Sequence, residues 1–155
     1  MNKSLPTEEL RRLAEEFLAD RARVQNDTGS PDIFGTARVI DCDGPTGSIL
    51  FAYDTKPWMA NVLGTVHGGI IATLLDSCMG ITCALHVDVP TPTVTMTANY
   101  LNPLPLSGTA HVRTRLNHLG RTTAQAMAEV FSPDRPDDTL VTATGVYSTA
   151  GQKQI

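Results

Sequence analysis

The sequence predicts an α+β domain in which an antiparallel β-sheet wraps around one long apolar helix. Three observations carry this. From Gly69 to Leu85 the chain is apolar nearly all round, and a helix with so little polar face must be enclosed by other structure. After Pro90 and Pro92 the hydrophobic period changes from helical to two, and about four alternating stretches follow. The connections between those stretches are short, which makes neighbouring strands antiparallel and separates this layout from a parallel α/β one.

The elements follow in order. Thr7 is a candidate N-cap, with Glu8 and Glu9 in the first turn. Leu10, Leu13, Ala14, Phe17, Leu18 and Val24 then repeat at the spacing of a one-faced helix. Asn26–Asp32 reads as a loop, so residues 1–32 form an amphipathic helix and loop, and residues 33–150 the main domain. Two strands are expected at Phe34–Ile40 and Gly47–Tyr53, turning at Asp43-Gly44-Pro45. Lys56–Asn61 is irregular and leads into the apolar helix. In Thr93–Leu101, Val94, Met96, Ala98 and Tyr100 share one face while Thr93, Thr95, Thr97 and Asn99 share the other. Ala110, Val112, Thr114 and Leu116 alternate likewise, Leu119-Gly120-Arg121 turns the chain, and Ala124–Val130 and Thr139–Ser148 complete the set.

Composition removes several functional classes. A chain of 155 residues, 41 % hydrophobic and 18 % charged, has room for one domain and enough apolar material for its core. Its 12 basic and 16 acidic residues give a net charge of −4, which argues against general affinity for nucleic acid or an anionic membrane. Met1–Pro6 holds no apolar h-region, and Ile70–Leu85 is shorter than a membrane span and carries Asp76. Cys42, Cys78 and Cys83 are an odd set with no disulfide framework, so thiols in a reducing cytoplasm are expected. His86, His111 and His118 lack metal-ligand spacing, and no metal is expected.

Chemistry concentrates at residues 61–76. His67-Gly68-Gly69 opens the apolar helix, and glycine there lets a ligand approach the backbone. The first amides of a helix have no intrahelical acceptor and lie at the positive end of its dipole, a site for an oxygen gaining negative charge. Asp76 places a carboxylate on an otherwise apolar helix, where an idle charge is costly and a general base has a use. Gly68 and Asp76 are eight residues apart, roughly 12 Å along one helix at about 1.5 Å per residue. One helix cannot bring both to one carbonyl. Two antiparallel copies in a two-fold dimer can do so twice.

Asn61-Val-Leu-Gly64-Thr-Val-His67-Gly68-Gly69, followed by Asp76, resembles the signature of hotdog-fold acyl-CoA thioesterases. It is closest to the branch of phenylacetyl-CoA thioesterase and thioesterase-superfamily member 2. The element order from Phe34 to Ser148 resembles the hotdog fold, with the N-terminal helix as an addition. The resemblance implies that Asp76 activates water or attacks directly, and that the Gly68 N–H polarises the thioester carbonyl. It implies that Asn61 and His67 assist, and that a hydroxyl on the next strand orients the water, with Thr93 the first candidate and Thr95 the alternative. It also implies that Gly120 and Arg121 border the CoA channel, while Gly69 and Trp58 are further substrate-binding candidates. Arg113, Arg115 and His118 are weaker candidates for phosphate contacts.

The function expected on this basis is hydrolysis of an acyl- or aryl-acyl-CoA to acid and CoA. No cofactor is needed beyond the CoA of the substrate. The resemblance further implies a homodimer, with pairs of dimers common. Two other readings stay open: a non-catalytic acyl-CoA binding module, which gives no reason to place Asp76, and a hotdog hydratase or dehydratase, which resembles a different His and acid pattern.

Overall fold

In the computed structural model, which describes residues 4–28, 36–87 and 89–150, two helices and six strands follow one another. They are α1 (Thr7–Thr28), β1 (Arg38–Asp43), β2 (Ser48–Asp54), α2 (Gly68–Val87), β3 (Thr93–Tyr100), β4 (Thr109–Leu119), β5 (Thr123–Phe131) and β6 (Val141–Ser148). A short 3₁₀ turn at Pro57–Met59 precedes α2. The strands form one sheet in the order β1-β2-β4-β5-β6-β3, and every pairing is antiparallel. This is the hotdog fold, with α2 as the wrapped helix and α1 as an extra one.

The alternation explains the packing. Ile49, Phe51 and Tyr53 of β2, Ala110 and Val112 of β4, and Val141, Ala143 and Tyr147 of β6 are all buried on the inner face. The matching positions of β5 are Ala124, Ala126 and Ala128, side chains small enough to let α2 lie close to the middle of the sheet. By length and composition α2 resembles a membrane span, longer than the apolar stretch read from the sequence. It is the core helix of the sheet, and Leu74, Leu75, Cys78 and Met79 are all buried there.

Three sequence expectations shift. β1 begins at Arg38, not Phe34, and runs on to Asp43 because Asp41, Cys42 and Asp43 pair with Leu50, Ile49 and Ser48 past a bulge at Ile40. The turn accordingly occupies Gly44–Gly47, with Gly47 at φ +61°, a left-handed conformation that suits glycine. Residues 34–35, the boundary at 32/33 and most of the Asn26–Asp32 loop lie outside the described residues, but α1 continues through Asn26 to Thr28. Thr7 is the first helical residue and not the cap: Leu10 N–H donates to the Pro6 carbonyl, and the Thr7 hydroxyl accepts the Gly44 N–H at 3.0 Å. Thr7 therefore ties the start of α1 to the β1–β2 turn.

α1 is part of the core. Leu10, Ala14 and Leu18 form its buried stripe. Truncating fully buried Leu10 to Ala is expected to cost about 2–5 kcal/mol, read as a lower denaturation midpoint with unchanged slope. An unchanged midpoint would show that α1 is only loosely attached.

Candidate active site

The entry to α2 is built by a tight loop. Asn61 Oδ1 accepts the N–H groups of Leu63 (2.9 Å) and Thr65 (3.1 Å), and its Nδ2 donates to the Thr65 hydroxyl. Gly64, at φ +75°, closes the turn. His67 N–H donates to the carbonyl of buried Met59, which anchors the helix start. The His67 side chain then caps the helix: its Nδ1 accepts the Gly69 N–H at 2.9 Å, and its carbonyl accepts Ile70 and Ile71. Asn61 and His67 thus shape the loop and the cap, as Asx and N-cap groups do.

The consequence falls on Gly68. As the first residue of α2 it has a backbone N–H with no acceptor among the described residues, one of the unsatisfied donors of a helix start. Its carbonyl accepts the Tyr100 hydroxyl at 2.8 Å, so the last residue of β3 is tied to the first of α2. Half-exposed Trp58 stands one residue before Met59 in the 3₁₀ turn, beside this entry.

Two turns along α2, Asp76 forms the second half of the arrangement. It is half-buried rather than enclosed as expected, because its carboxylate faces a cavity instead of the sheet. Its Oδ1 accepts the Thr93 hydroxyl at 2.9 Å and the Tyr147 hydroxyl at 3.1 Å. Tyr147 also reaches the Asp76 carbonyl at 3.0 Å. Burial, and then the charge and hydrogen bond of Asp76, push the Tyr147 phenol well above its usual range, so it remains a donor.

A bulge puts the two threonines on different faces of β3. Thr93 pairs with Tyr147, yet Thr95 pairs with Val146, so Val94 is skipped. Thr93 therefore shares the inner face with Tyr147, while Thr95 lies on the outer face with Val146. The strict alternation read from the sequence placed Thr93 and Thr95 together; one extra residue in the strand separates them.

Tyr147 was not singled out from the sequence, although a signal exists. It falls on the buried register of β6, where a phenol needs a partner for its hydroxyl. The fold makes room for it with two glycines. A Cβ at Gly145 would lie 2.7 Å from the Tyr147 ring, and one at Gly80, one turn beyond Asp76, would lie 3.3 Å from it.

The remaining candidates divide by position. The Gly120-Arg121 turn sits at the end of the sheet where β3 begins: Thr149 N–H donates to Thr122, and Ser148 N–H to Pro92. It is thus near the Asp76 end of the site and away from Gly68. Arg113 is engaged by Glu129 at 2.9 Å, and Arg115 lies against Met127. Burial pushes the Cys78 and Cys83 thiols up to about 12, which makes them poor nucleophiles. Among the described residues no cluster of His, Cys, Asp or Glu could hold a metal ion.

The cavity that Asp76, Thr93 and Tyr147 border is about 870 Å³ and runs between α1 and α2, within the size range of small-molecule sites. A carboxylate facing such a cavity and an unpaired helix-start amide are the two parts that acyl transfer to water requires.

Comparison with known proteins agrees. The thioesterase-superfamily model matches residues 63–138, which include Gly68, Asp76 and Thr93. The family is the one that the Asn61–Asp76 pattern resembles. A Pseudomonas aeruginosa protein named "Putative esterase PA0474" is 31 % identical over 86 residues, 54 % of this chain and 62 % of that protein's length. The PaaI protein of the phenylacetic acid degradation operon of E. coli is 19 % identical, with TM-score 0.70 over 90 % of this chain and 94 % of its own. The smu.793 protein of Streptococcus mutans UA159, solved with acetyl-CoA bound, is 23 % identical, with TM-score 0.67 over 76 % of this chain and 91 % of its own. At these identities the two structures share their fold with this chain.

Proposed function

We propose that this protein hydrolyses an acyl- or aryl-acyl-CoA thioester to the free acid and CoA, in a homodimer whose two sites each draw on both protomers. The observation that carries the reading is the Asp76 carboxylate, held by two hydroxyls at the wall of the cavity. The family match and the CoA ester bound to the Streptococcus mutans protein support the substrate class.

The edge strand β3 supports the dimer. Among the described residues this strand is a sheet edge, unpaired on its outer side, and exposed Val62, Leu63, Val94, Tyr100 and Leu101 lie along it and beside the α2 entry. An unpaired edge with apolar flanks favours another strand. β3 starts at Asp76, through Thr93, and ends at Gly68, through Tyr100. Antiparallel pairing with a second β3 therefore brings the Asp76 end of one protomer toward the Gly68 end of the other. The roughly 12 Å between the two residues on one helix ceases to matter.

In this arrangement Asp76 takes a proton from water as the water oxygen bonds to the thioester carbon. The partner subunit's Gly68 N–H receives the oxyanion. Collapse breaks the C–S bond, and the CoA sulfur leaves with the proton that Asp76 accepted. Thr93 and Tyr147 hold the carboxylate in one orientation, and His67 and Asn61 hold the loop that presents the amide. Gly120 and Arg121 border the nucleotide, with Gly69 and Trp58 at the amide end.

Thiol release across aryl-, short-, medium- and long-chain acyl-CoAs tests the reading. Turnover on any of these supports it. Tight binding without release indicates a binding module, and loss of enoyl-CoA absorbance without free thiol indicates a hydratase. Tyr147→Phe preserves the ring and removes one hydrogen bond to a charged group, so kcat is expected to fall about tenfold with KM little changed. A tenfold rise in KM with kcat unchanged would place Tyr147 in binding and not in holding the base.

A further inference from the structure

The apolar face of α1 has two edges, one fully buried in the core and the other only packed against it. Leu10, Ala14 and Leu18 are buried in it, whereas Leu13 and Phe17 are half-buried and line the cavity. Arg21 stacks over the Phe17 ring at 5.2 Å and holds it on that wall. Across the cavity, α2 presents Ser77, Gly80, Ile81, Ala84 and Leu85, with small side chains at 77, 80 and 84 on one face. The start of α1 lies by the end of α2: Leu5 is against Gly44, and the adjacent Gly47 is against His86. The cavity therefore follows α2 from Asp76 toward Leu85, nine residues or roughly 13 Å at about 1.5 Å per residue.

We infer that this groove is the acyl subsite and that α1 is its selectivity wall, so that the preferred substrates are medium-chain acyl-CoAs. The inference rests on the thioesterase reading. Asp76, Thr93 and Tyr147 stand at the same cavity as Leu13 and Phe17, so an acyl group whose carbonyl is at Asp76 extends between the helices. An apolar chain there covers the edge of α1 that the core leaves partly open. An acetyl group is too short to cover that wall.

The test fills the groove from each side. In Leu13→Trp and Ala84→Phe, the ratio of kcat/KM for decanoyl-CoA to that for acetyl-CoA is expected to fall about tenfold or more. Decanoate binding, measured by calorimetry on the wild type, is expected to weaken in parallel. Variants that keep the wild-type fold and ratio overturn the groove assignment while leaving the hydrolase reading in place. If the wild type releases no thiol from any acyl-CoA, the hydrolase reading falls, and decanoate binding alone decides the groove: binding lost in Leu13→Trp supports it, and no binding to the wild type overturns it.

Discussion

Asp76→Asn is expected to lower kcat by about 10²–10⁴-fold, the usual contribution of a positioned general base. Asn keeps the shape of the side chain, and its carbonyl oxygen still accepts the Thr93 and Tyr147 hydroxyls that Oδ1 accepts now. α2 and the β3 start should therefore be undisturbed, and only the capacity to take a proton from water is lost. Thiol release under saturating acyl-CoA measures this, with dimer content and thermal midpoint as controls. A variant that stays folded and retains most of its kcat would remove Asp76 from the chemistry.

Gly68→Pro tests the other half, a backbone group that side-chain substitution cannot reach. Gly68 is the first residue of α2, the position where proline fits a helix, and proline there removes the N–H. The loss of an oxyanion donor is expected to lower kcat by about 10²–10³-fold. Gly68→Ala is the matched control. Its new Cβ would sit 3.4 Å from the Tyr100 ring, an ordinary contact, and the N–H remains, so activity should largely persist. Equal loss in both variants would point to crowding at Tyr100 instead of to the amide.

The fold was legible because its patterns are strong. An all-round apolar helix and strands alternating with period two leave few arrangements, and the α2 start at His67-Gly68-Gly69 is where the structure has it. What local pattern could not show was offset by one residue. The bulge at Val94 turns Thr93 inward, and no alternation rule predicts where a strand skips. Ile40 is the same case in β1, where a bulge and the tie from Thr7 to Gly44 move the strand toward the turn. Tyr147 was hidden for another reason: its partner, Asp76, is 71 residues away, and only the packing of α2 against β6 brings them together. The two edges of the apolar face of α1 looked alike, since spacing alone does not say which half of a helix meets the core and which meets a cavity.

The most direct test of the shared site mixes two inactive proteins. Asp76→Asn and Gly68→Pro chains, unfolded and refolded together in equal amounts, form mixed dimers that hold one intact site: Asp76 from one chain and Gly68 from the other. Thiol release is predicted to return to about a quarter of the wild-type rate, because half of the dimers are mixed and each has one working site. If the mixed dimers form and release no more thiol than either parent, Asp76 and Gly68 do not act across the interface, and the account is contradicted.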